Sequence, residues 1–252
     1  MAAALRAGTR HIDTATIYKN EEAVGAAVRK SGVPRADIFV TSKVSPYEQG
    51  TARARAAVAA TLERLGLEYV DLVLVHWPGV ARVPHDDPRV RQLRAETWRA
   101  LEEEVARGTV RSIGVSNYEE RHLRELLETA TVRPAVNQVE LHPRYQQRSL
   151  RRACEEMGVR VVAYASLGGG ELLGDATVRA VAAAEGRTPA QVLLRWALDK
   201  GAAVLPKSVR PGRVAEQAEP RLLGWSLSEA GTAALDAMED GHKYCWDPSG
   251  IP

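Results

Sequence analysis

The sequence predicts a parallel α/β barrel, and three observations support this fold class. Short apolar, β-branched runs alternate with helical patterns along all 252 residues. Most of the runs are apolar on both faces, which is typical of parallel strands covered by helices. Polar or ionisable residues stand at or just beyond the end of nearly every run. Functional residues of a (β/α)8 barrel have this distribution, because they lie at the carboxyl ends of several strands.

Seven runs are recognisable as strands. They cover residues 11–15, 38–44, 70–76, 111–115, 135–139, 160–165 and 202–206. A closed (β/α)8 barrel needs eight strands, so the sequence predicts an incomplete barrel. An open dinucleotide-binding sheet is disfavoured, because G-x-G-x-x-G does not follow the first run and the glycine cluster at 167–174 has a different spacing.

Capping residues mark the ends of several helices between these runs. Threonine is a preferred N-cap, proline fits the first helical turn, and glycine is enriched just past a helix end. On this basis one helix runs from a cap at Thr51 to Gly66, a second ends at Gly108, and a third runs from Thr188–Pro189 to Gly201. No linker or change of composition divides the chain, so we expect a single domain over residues 1–252.

Composition disfavours several classes of protein. Hydrophobic residues make up 45% of the chain, and the net charge of +2 gives no general attraction to nucleic acid or to a membrane surface. The sequence lacks an apolar run of membrane-spanning length and a signal-peptide core at its N-terminus. The two cysteines, Cys154 and Cys245, are too few for a disulfide framework. They fit a reducing compartment, so we expect a cytoplasmic protein.

Four residues near the ends of the first three runs suggest a proton-transfer site. Lys43 interrupts an apolar strand, where an unpaired lysine is rare, and Asp13 on the preceding strand is its expected partner. A phenol has a pKa near ~10, and we expect the Lys43 ammonium to lower that of Tyr18 so that it donates a proton at neutral pH. His76 is placed to orient a substrate oxygen.

Each residue also has an ordinary structural interpretation when it is taken alone. Asp13 suits a turn or a cap, Tyr18 suits the half-buried start of a helix, and His76 suits a satisfied core histidine. Their joint occurrence at successive strand ends favours the catalytic interpretation. A metal site at Glu140 and His142 is disfavoured because the third ligand is missing, so we expect no metal.

The chain resembles the aldo-keto reductases along essentially its whole length, most of all the short bacterial branch that includes the 2,5-diketo-D-gluconate reductases. The resemblance rests on the motifs RHIDTATIYKNEEAVG, TSKV, LVLVHWP, RSIGVSN, VNQVELHP, AYASLG, TPAQVLLRWAL, LPKSVRPGR and HKYCWDP. It implies a (β/α)8 barrel and a catalytic tetrad of Asp13, Tyr18, Lys43 and His76. In this tetrad Tyr18 is the general acid during carbonyl reduction.

The resemblance also implies an NADPH site. The residues expected to contact the cofactor are Ser116, Asn117, Gln138, Tyr164, Leu167, Lys207, Ser208, Arg213, Glu216 and Gln217. Independently, Lys207, Arg213 and the Ser208 hydroxyl in KSVRPGR suit a phosphate, and the loop after a late barrel strand is a common phosphate site. A solvated basic turn is the alternative for this loop.

The expected activity is NADPH-dependent reduction of an aldehyde or ketone, or the reverse oxidation, with a small-molecule carbonyl substrate. Tyr47, Trp77 and His76 are expected to contact that substrate, within a pocket shaped by the loop at 79–93 and the C-terminal CWDPSGIP. Members of the resembled family begin with a hairpin and a first strand that we expect this chain to lack. The alternative is therefore a truncated, weakly catalytic protein that binds a nucleotide or a partner. We expect a monomer.

Overall fold

The computed structural model describes residues 1–252, apart from the side chains at positions 219 and 220. Its strands form one parallel sheet, in which the spatial order follows the order in the sequence. The strands are β1 (His11–Asp13), β2 (Phe39–Val44), β3 (Val70–Val75), β4 (Val110–Ser116), β5 (Val136–Glu140), β6 (Arg160–Tyr164) and β7 (Ala203–Val204). All seven predicted strands are present, with ends shifted by a few residues.

The helices lie between these strands and after the last of them. They are α1 (Ala2–Arg6), α2 (Glu21–Arg29), α3 (Thr51–Leu65), α4 (Arg89–Arg107), α5 (Glu120–Leu127), α6 (Arg148–Glu156), α7 (Ala176–Glu185), α8 (Pro189–Asp199), α9 (Pro211–Glu216), α10 (Glu219–Leu222) and α11 (Glu229–Asp236). Short 3-10 helices cover Thr16–Tyr18, Arg35–Asp37 and Gly168–Gly174. Among the described helices, none is both long and apolar enough to cross a membrane.

One hydrogen bond shows that the sheet curls. Gln138 on β5 donates from its side chain to the Asp13 carboxylate on β1 at 2.8 Å. Neighbouring strands lie about 4.8 Å apart, so in a flat sheet these strands would be separated by roughly 19 Å. The direct contact requires the sheet to bend round until the inner faces of β1 and β5 meet. The described strands thus form seven of the eight strands of a (β/α)8 barrel.

The two edges of the described sheet belong to β1 and β7. β1 pairs with β2 alone, and β7 pairs with β6 alone. Outside the sheet, α1 packs against α9, so two helices connect the regions beside the two edges. Among the described residues, β1 and β7 are therefore the edge strands.

Buried apolar side chains explain why the helices cover the sheet. β3 is buried along its whole length, and its side chains share one core cluster with residues of α2, α3, α4 and α5. A second cluster joins β6 to α7, α8 and α11. Trp98 on α4 and Trp196 on α8 are the largest fully buried side chains of these two groups. Each aromatic anchors its helix, since burial of large apolar surface is the main source of stabilisation.

Most of the predicted helix ends are confirmed. Gly66 and Gly108 follow α3 and α4 in the left-handed conformation, and Thr188 caps α8 through a reciprocal bond with Gln191. The prediction of Thr51 as an N-cap was wrong, because Gly50 occupies the cap position and Thr51 is the first helical residue. Gly50 has a φ of 98°, a backbone conformation that a threonine would adopt only with strain.

The prediction of a loop over residues 79–93 was also wrong in its last five residues, which are helical. α4 begins at Arg89, directly after Pro88, which stands at the N-cap position. Val90 is buried there against Val80 and Ile251, and Leu93 packs against the same cluster. The sequence did not indicate this helix start, because only Val90 and Leu93 are apolar there and the segment is rich in charged residues.

We predict that Gly25→Ala destabilises the fold strongly. Gly25 lies on the buried face of α2, and a Cβ added there would stand 1.8 Å from the carbonyl oxygen of Leu65 at the end of α3. The backbone cannot move aside as a flexible side chain can, so we expect the free energy of unfolding to fall by about 1–3 kcal/mol or more. Chemical denaturation measures this change.

The matched control is Gly212→Ala on α9, where an added Cβ has open space. Because alanine favours a helix over glycine, this variant should be neutral or slightly more stable. Equal denaturation midpoints for the two variants would show that α2 and α3 do not need their close approach.

Candidate active site

The strand register brings Asp13 and Lys43 to one face of the sheet. Asp13 on β1 lies opposite Thr41 on β2, and Lys43 follows Thr41 by two residues. Side chains two residues apart on a strand point to the same face. The Lys43 ammonium therefore reaches the Asp13 carboxylate, with which it forms a salt bridge and a hydrogen bond. The predicted pairing of these two residues is present.

Lys43 is the most deeply buried charge of this cluster. Its side chain has no exposed surface, while that of Asp13 is 13% exposed. The ammonium also donates to the carbonyl oxygen of Thr14 at 2.9 Å. Burial lowers the pKa of Lys43, and the charge and hydrogen bond of Asp13 oppose that shift. An unpaired ammonium at this depth would be costly, and the Asp13 carboxylate stabilises the ionised form of Lys43.

Tyr18 and His76 complete the group at the mouth of the barrel. The 3-10 helix Thr16–Tyr18 carries Tyr18 just beyond β1, and His76 directly follows β3. The Tyr18 ring centroid lies 5.2 Å from Lys43 Nζ and 5.8 Å from the His76 ring, which stands nearly perpendicular to it. The structure thus brings all four predicted catalytic side chains together.

The protonation of Tyr18 differs from the sequence-based expectation. Burial of the phenol, with the negative charge of Asp13 and the thiol of Cys245, raises the pKa of Tyr18 to about 12. The expected net lowering of the Tyr18 pKa was wrong, because burial of the phenol is the largest cause of the shift and the Asp13 carboxylate also acts directly on the phenol. Tyr18 is consequently a neutral hydroxyl near pH 7, which is the form that has a proton to give.

His76 is neutral as well. Burial, with a smaller contribution from the Lys43 charge, lowers the pKa of His76 to about 3. Its Nδ1 is buried and has no hydrogen-bond partner among the described residues. A neutral imidazole beside a protonated phenol suits the binding of an uncharged carbonyl oxygen, because it adds a hydrogen bond without adding a charge.

Four predicted cofactor contacts form one network beside this group. The Tyr164 hydroxyl donates to Asn117 Oδ1 at 2.6 Å, and the Asn117 amide donates to Ser116 Oγ at 3.0 Å and to the His76 carbonyl oxygen at 3.1 Å. Ser116 Oγ donates to the carbonyl oxygen of Gln138 at 2.8 Å. The side chain of Gln138 then reaches Asp13, so the network runs from β6 to the salt bridge on β1.

The remaining predicted cofactor residues lie after β6 and β7. Lys207 and Arg213 are exposed, while Leu167, Ser208 and Gln217 are half-buried. Because β6 and β7 are paired neighbours, the loops that follow them lie on the same side of the barrel mouth.

Glu216 and Ser208 already have partners within the chain. The Thr188 hydroxyl donates to the Glu216 carboxylate, so Glu216 connects the end of α9 to the start of α8. Ser208 Oγ accepts the backbone N–H of Arg210 at 3.1 Å. The exposed Lys207 and Arg213 are therefore better placed than Glu216 and Ser208 to bind an anion at the predicted phosphate loop.

The predicted substrate contacts line the outer part of the mouth. Tyr47 is 61% exposed, and the guanidinium of Arg82 lies 5.7 Å from its ring centroid. Trp77 is half-buried and meets Trp246 edge to face, with ring centroids 6.1 Å apart. Trp246 lies in the C-terminal segment, residues 243–252, of which the sequence had placed CWDPSGIP (245–252) at the pocket.

Sequence reasoning missed the buried carboxylate of Glu140. It had considered Glu140 only as a metal ligand with His142, yet the two side chains bond to each other at 3.0 Å and Glu140 also holds backbone N–H groups of the C-terminal segment. A glutamate at the end of an apolar strand was the available signal. Its partners lie about a hundred residues away, so their identity was not readable.

Together, the incomplete barrel and the Asp, Tyr, Lys and His side chains at its mouth define an oxidoreductase of the barrel class. A sequence model of the aldo/keto reductase family matches residues 1–239. The glyoxal reductase of Bacillus subtilis is 42% identical over 246 residues, which cover 98% of this chain and 84% of that protein. The chain belongs to the aldo/keto reductase family.

Solved structures agree with this assignment. The crystal structure of an aldo/keto reductase from Brucella melitensis matches with a TM-score of 0.87 at 40% identity, covering 94% of this chain and 86% of that one. That of an aldo-keto reductase complexed with NADPH matches with a TM-score of 0.87 at 31% identity, covering 97% and 78%. The predicted fold and enzyme class are confirmed. The 2,5-diketo-gluconate branch, the single-domain extent, the cytoplasmic location and the monomeric state stay predictions.

We predict that Asp13→Asn destabilises the protein more than the double variant Asp13→Asn/Lys43→Met. The single change leaves a fully buried ammonium without its counter-charge, and breaking a buried pair in this way costs about 3–5 kcal/mol. The double change removes the ammonium too, so much of that loss should be recovered. Urea denaturation of the wild type, both single variants and the double variant gives the coupling energy. Additive losses would mean that the two side chains do not depend on each other.

Proposed function

We propose that this protein reduces an aldehyde or ketone to an alcohol with NADPH, using Tyr18 as the general acid. The observation that carries the proposal is the placement of the Tyr18 ring, whose centroid lies 5.2 Å from Lys43 Nζ and 5.8 Å from the centroid of the His76 ring. A proton donor held between a cation and a neutral hydrogen-bonding ring suits the reduction of a carbonyl group.

The chain's own residues account for the proton. His76 and Tyr18 hold the carbonyl oxygen, and the negative charge that develops on this oxygen is neutralised when Tyr18 gives it the phenolic proton. The phenolate that remains faces the Lys43 ammonium, whose position the Asp13 carboxylate fixes. Asp13 and Lys43 thus act through Tyr18, since opposite charge at close range favours the ionised phenol.

The donor set at the barrel mouth fits a nicotinamide. Asn117 and Gln138 offer side-chain amides and Ser116 offers a hydroxyl, which are the groups that pair with a carboxamide. Tyr164 presents a ring whose orientation its bond to Asn117 fixes. A reduced nicotinamide bound by these residues would supply a hydride to the carbonyl carbon.

Two exposed cations support NADPH as the cofactor. Lys207 follows β7 and Arg213 lies on α9, and both are free to turn toward an anion at the mouth. Charge-assisted bonds from such groups suit a 2′-phosphate better than a ribose diol. The solved relative that is complexed with NADPH is consistent with this choice.

The substrate is proposed to be a small carbonyl compound. The relative from Bacillus subtilis is named a glyoxal reductase, and the neutral Tyr18 and His76 suit an uncharged carbonyl group. The alternative of a truncated, weakly catalytic protein that binds a nucleotide or a partner is disfavoured by the intact set of four side chains.

We predict that Tyr18→Phe lowers kcat for the reduction of a small aldehyde by about 10²- to 10⁴-fold, since general acids contribute this much. The dissociation constant for NADPH should stay within about twofold, because the hydroxyl is not needed to hold the cofactor. Stopped-flow turnover and fluorescence titration measure the two quantities. The control is Tyr69→Phe, whose ring is stacked between Arg35 and Arg111. Near-normal turnover in Tyr18→Phe would remove Tyr18 from the proposed role.

We predict that Arg213→Ala weakens NADPH binding by about tenfold or more and leaves NADH binding unchanged. A hydrogen bond to a charged group is worth about 1.5–3 kcal/mol. NADH lacks the 2′-phosphate that would accept this bond from Arg213. The measurement is the ratio of the two dissociation constants. Arg179→Ala, at an exposed position on α7, is the control. An unchanged ratio in Arg213→Ala would favour the solvated basic turn.

A further inference from the structure

Glu140 is a buried carboxylate that the proposed chemistry does not use. It ends β5 two residues after Gln138, so both side chains point to the same face and Glu140 lies one step nearer the barrel mouth. The side chain has no exposed surface. A buried carboxylate is costly unless it is well paired, so its partners indicate why it is there.

Three of its four partners belong to one stretch of the C-terminal segment. Glu140 Oε1 accepts the backbone N–H of Tyr244 at 2.6 Å, and Oε2 accepts that of Cys245 at 3.3 Å. The ammonium of Lys243 lies 3.2 Å from Oε2. The fourth partner, His142, donates to Oε1 at 3.0 Å and turns the edge of its ring toward Tyr244. One carboxylate thus fixes three consecutive residues of the segment.

The charge of Glu140 is retained despite its burial. Burial alone would raise its pKa, but the bonds from His142 and from the Tyr244 N–H, with the charge of Lys243, hold the pKa at about 2. The carboxylate is therefore ionised throughout the pH range in which an enzyme is assayed. Hydrogen bonds to an ionised acceptor are stronger than bonds to a neutral one.

The residues that follow this anchor form the outer wall of the mouth. Trp246 comes directly after Cys245 and meets Trp77 edge to face. The far end of the segment is held separately, because Ile251 is buried against Val80 and Val90. Between the two attachments, Trp246 is 76% exposed. Its position over the mouth depends on the attachment beside it.

We propose that Glu140 is a positioning residue for substrate recognition, which holds Trp246 against Trp77 as a wall that bulky substrates contact and small ones do not. The inference rests on the proposed carbonyl reductase function for its kinetic consequence. Its structural consequence, the order of residues 243–247, does not depend on that function.

Hydrogen exchange of wild type and Glu140→Gln tests the structural consequence directly. The glutamine has nearly the same size as glutamate but carries no charge. All four partners of Glu140 donate hydrogen bonds, and the NH2 group of the glutamine amide cannot accept them. We expect the amides of Tyr244 and Cys245 to exchange about tenfold faster or more, while those of α11 stay unchanged. The control is Glu104→Gln, another buried carboxylate, which binds Arg107 and Thr109 at the opposite end of the barrel.

Kinetics with two aldehydes test the functional consequence. In Glu140→Gln we expect KM for an aromatic aldehyde such as 4-nitrobenzaldehyde to rise about tenfold, while KM for methylglyoxal and kcat for both stay within about twofold. A merely structural role would change both KM values alike, as we expect for Glu104→Gln if its fold is weakened. Equal changes in Glu140→Gln, or exchange as slow as in wild type, would overturn the proposal.

Lys243→Met keeps the inference testable if Glu140→Gln does not fold. It removes one partner of Glu140 and leaves the backbone bonds, so it should give the same pattern with smaller changes. Unchanged exchange at Tyr244 and Cys245 in Lys243→Met would then count against the anchor. If the wild type reduces no aldehyde, the proposed function fails, and hydrogen exchange alone decides the role of Glu140.

Discussion

The buried pair of Lys43 and Asp13 is the constraint on which the rest of the site depends. A lysine without exposed surface needs a counter-charge, and this requirement fixes β1 and β2 in the register that places Asp13 within reach. The second oxygen of Asp13 is then available to Gln138 on β5. One carboxylate thereby satisfies a buried charge and joins two strands that are not neighbours in the sheet.

Charged residues have different roles at the two ends of the barrel. At the amino ends of the strands, Asp71 pairs with Arg35 and Arg111, whose guanidinium groups enclose the Tyr69 ring. This group joins β3 and β4 to the chain before β2 through ion pairs. At the carboxyl ends lie Tyr18 and His76 beside the pair of Asp13 and Lys43. The candidate functional side chains thus lie at the opposite end of the strands from this structural group, as is general for this architecture.

Much of the fold was predictable from the sequence because its signals are local. Apolar runs and glycine stops depend on neighbours within a few residues, and they located every strand and most of the tested helix ends. Thr51 and the start of α4 were missed where a backbone conformation at Gly50 and a long-range contact of Val90 decide the structure. The four catalytic candidates were recognisable as a set by their place at strand ends.

The pKa of Tyr18 and the partners of Glu140 were beyond sequence reasoning. Both depend on burial and on which groups meet across the barrel. Spacing along the chain does not reveal the extent of burial or these long-range contacts. Lys43, paired with Asp13, was expected to lower the Tyr18 pKa, whereas burial of the phenol and the negative charge of Asp13 raise it. A motif identifies the members of a site more reliably than it identifies their charge states.

The sequential strand order also determines how such a molecule is made. Each described strand pairs with the one synthesised just before it, so the sheet grows by short-range steps that cost little loop-closure entropy. The contacts that finish the site span much longer separations. Gln138 meets Asp13 across 125 residues, and the Tyr244 amide meets Glu140 across 104. A nascent chain emerging from the ribosome can therefore pair neighbouring strands long before these two contacts form at the candidate site.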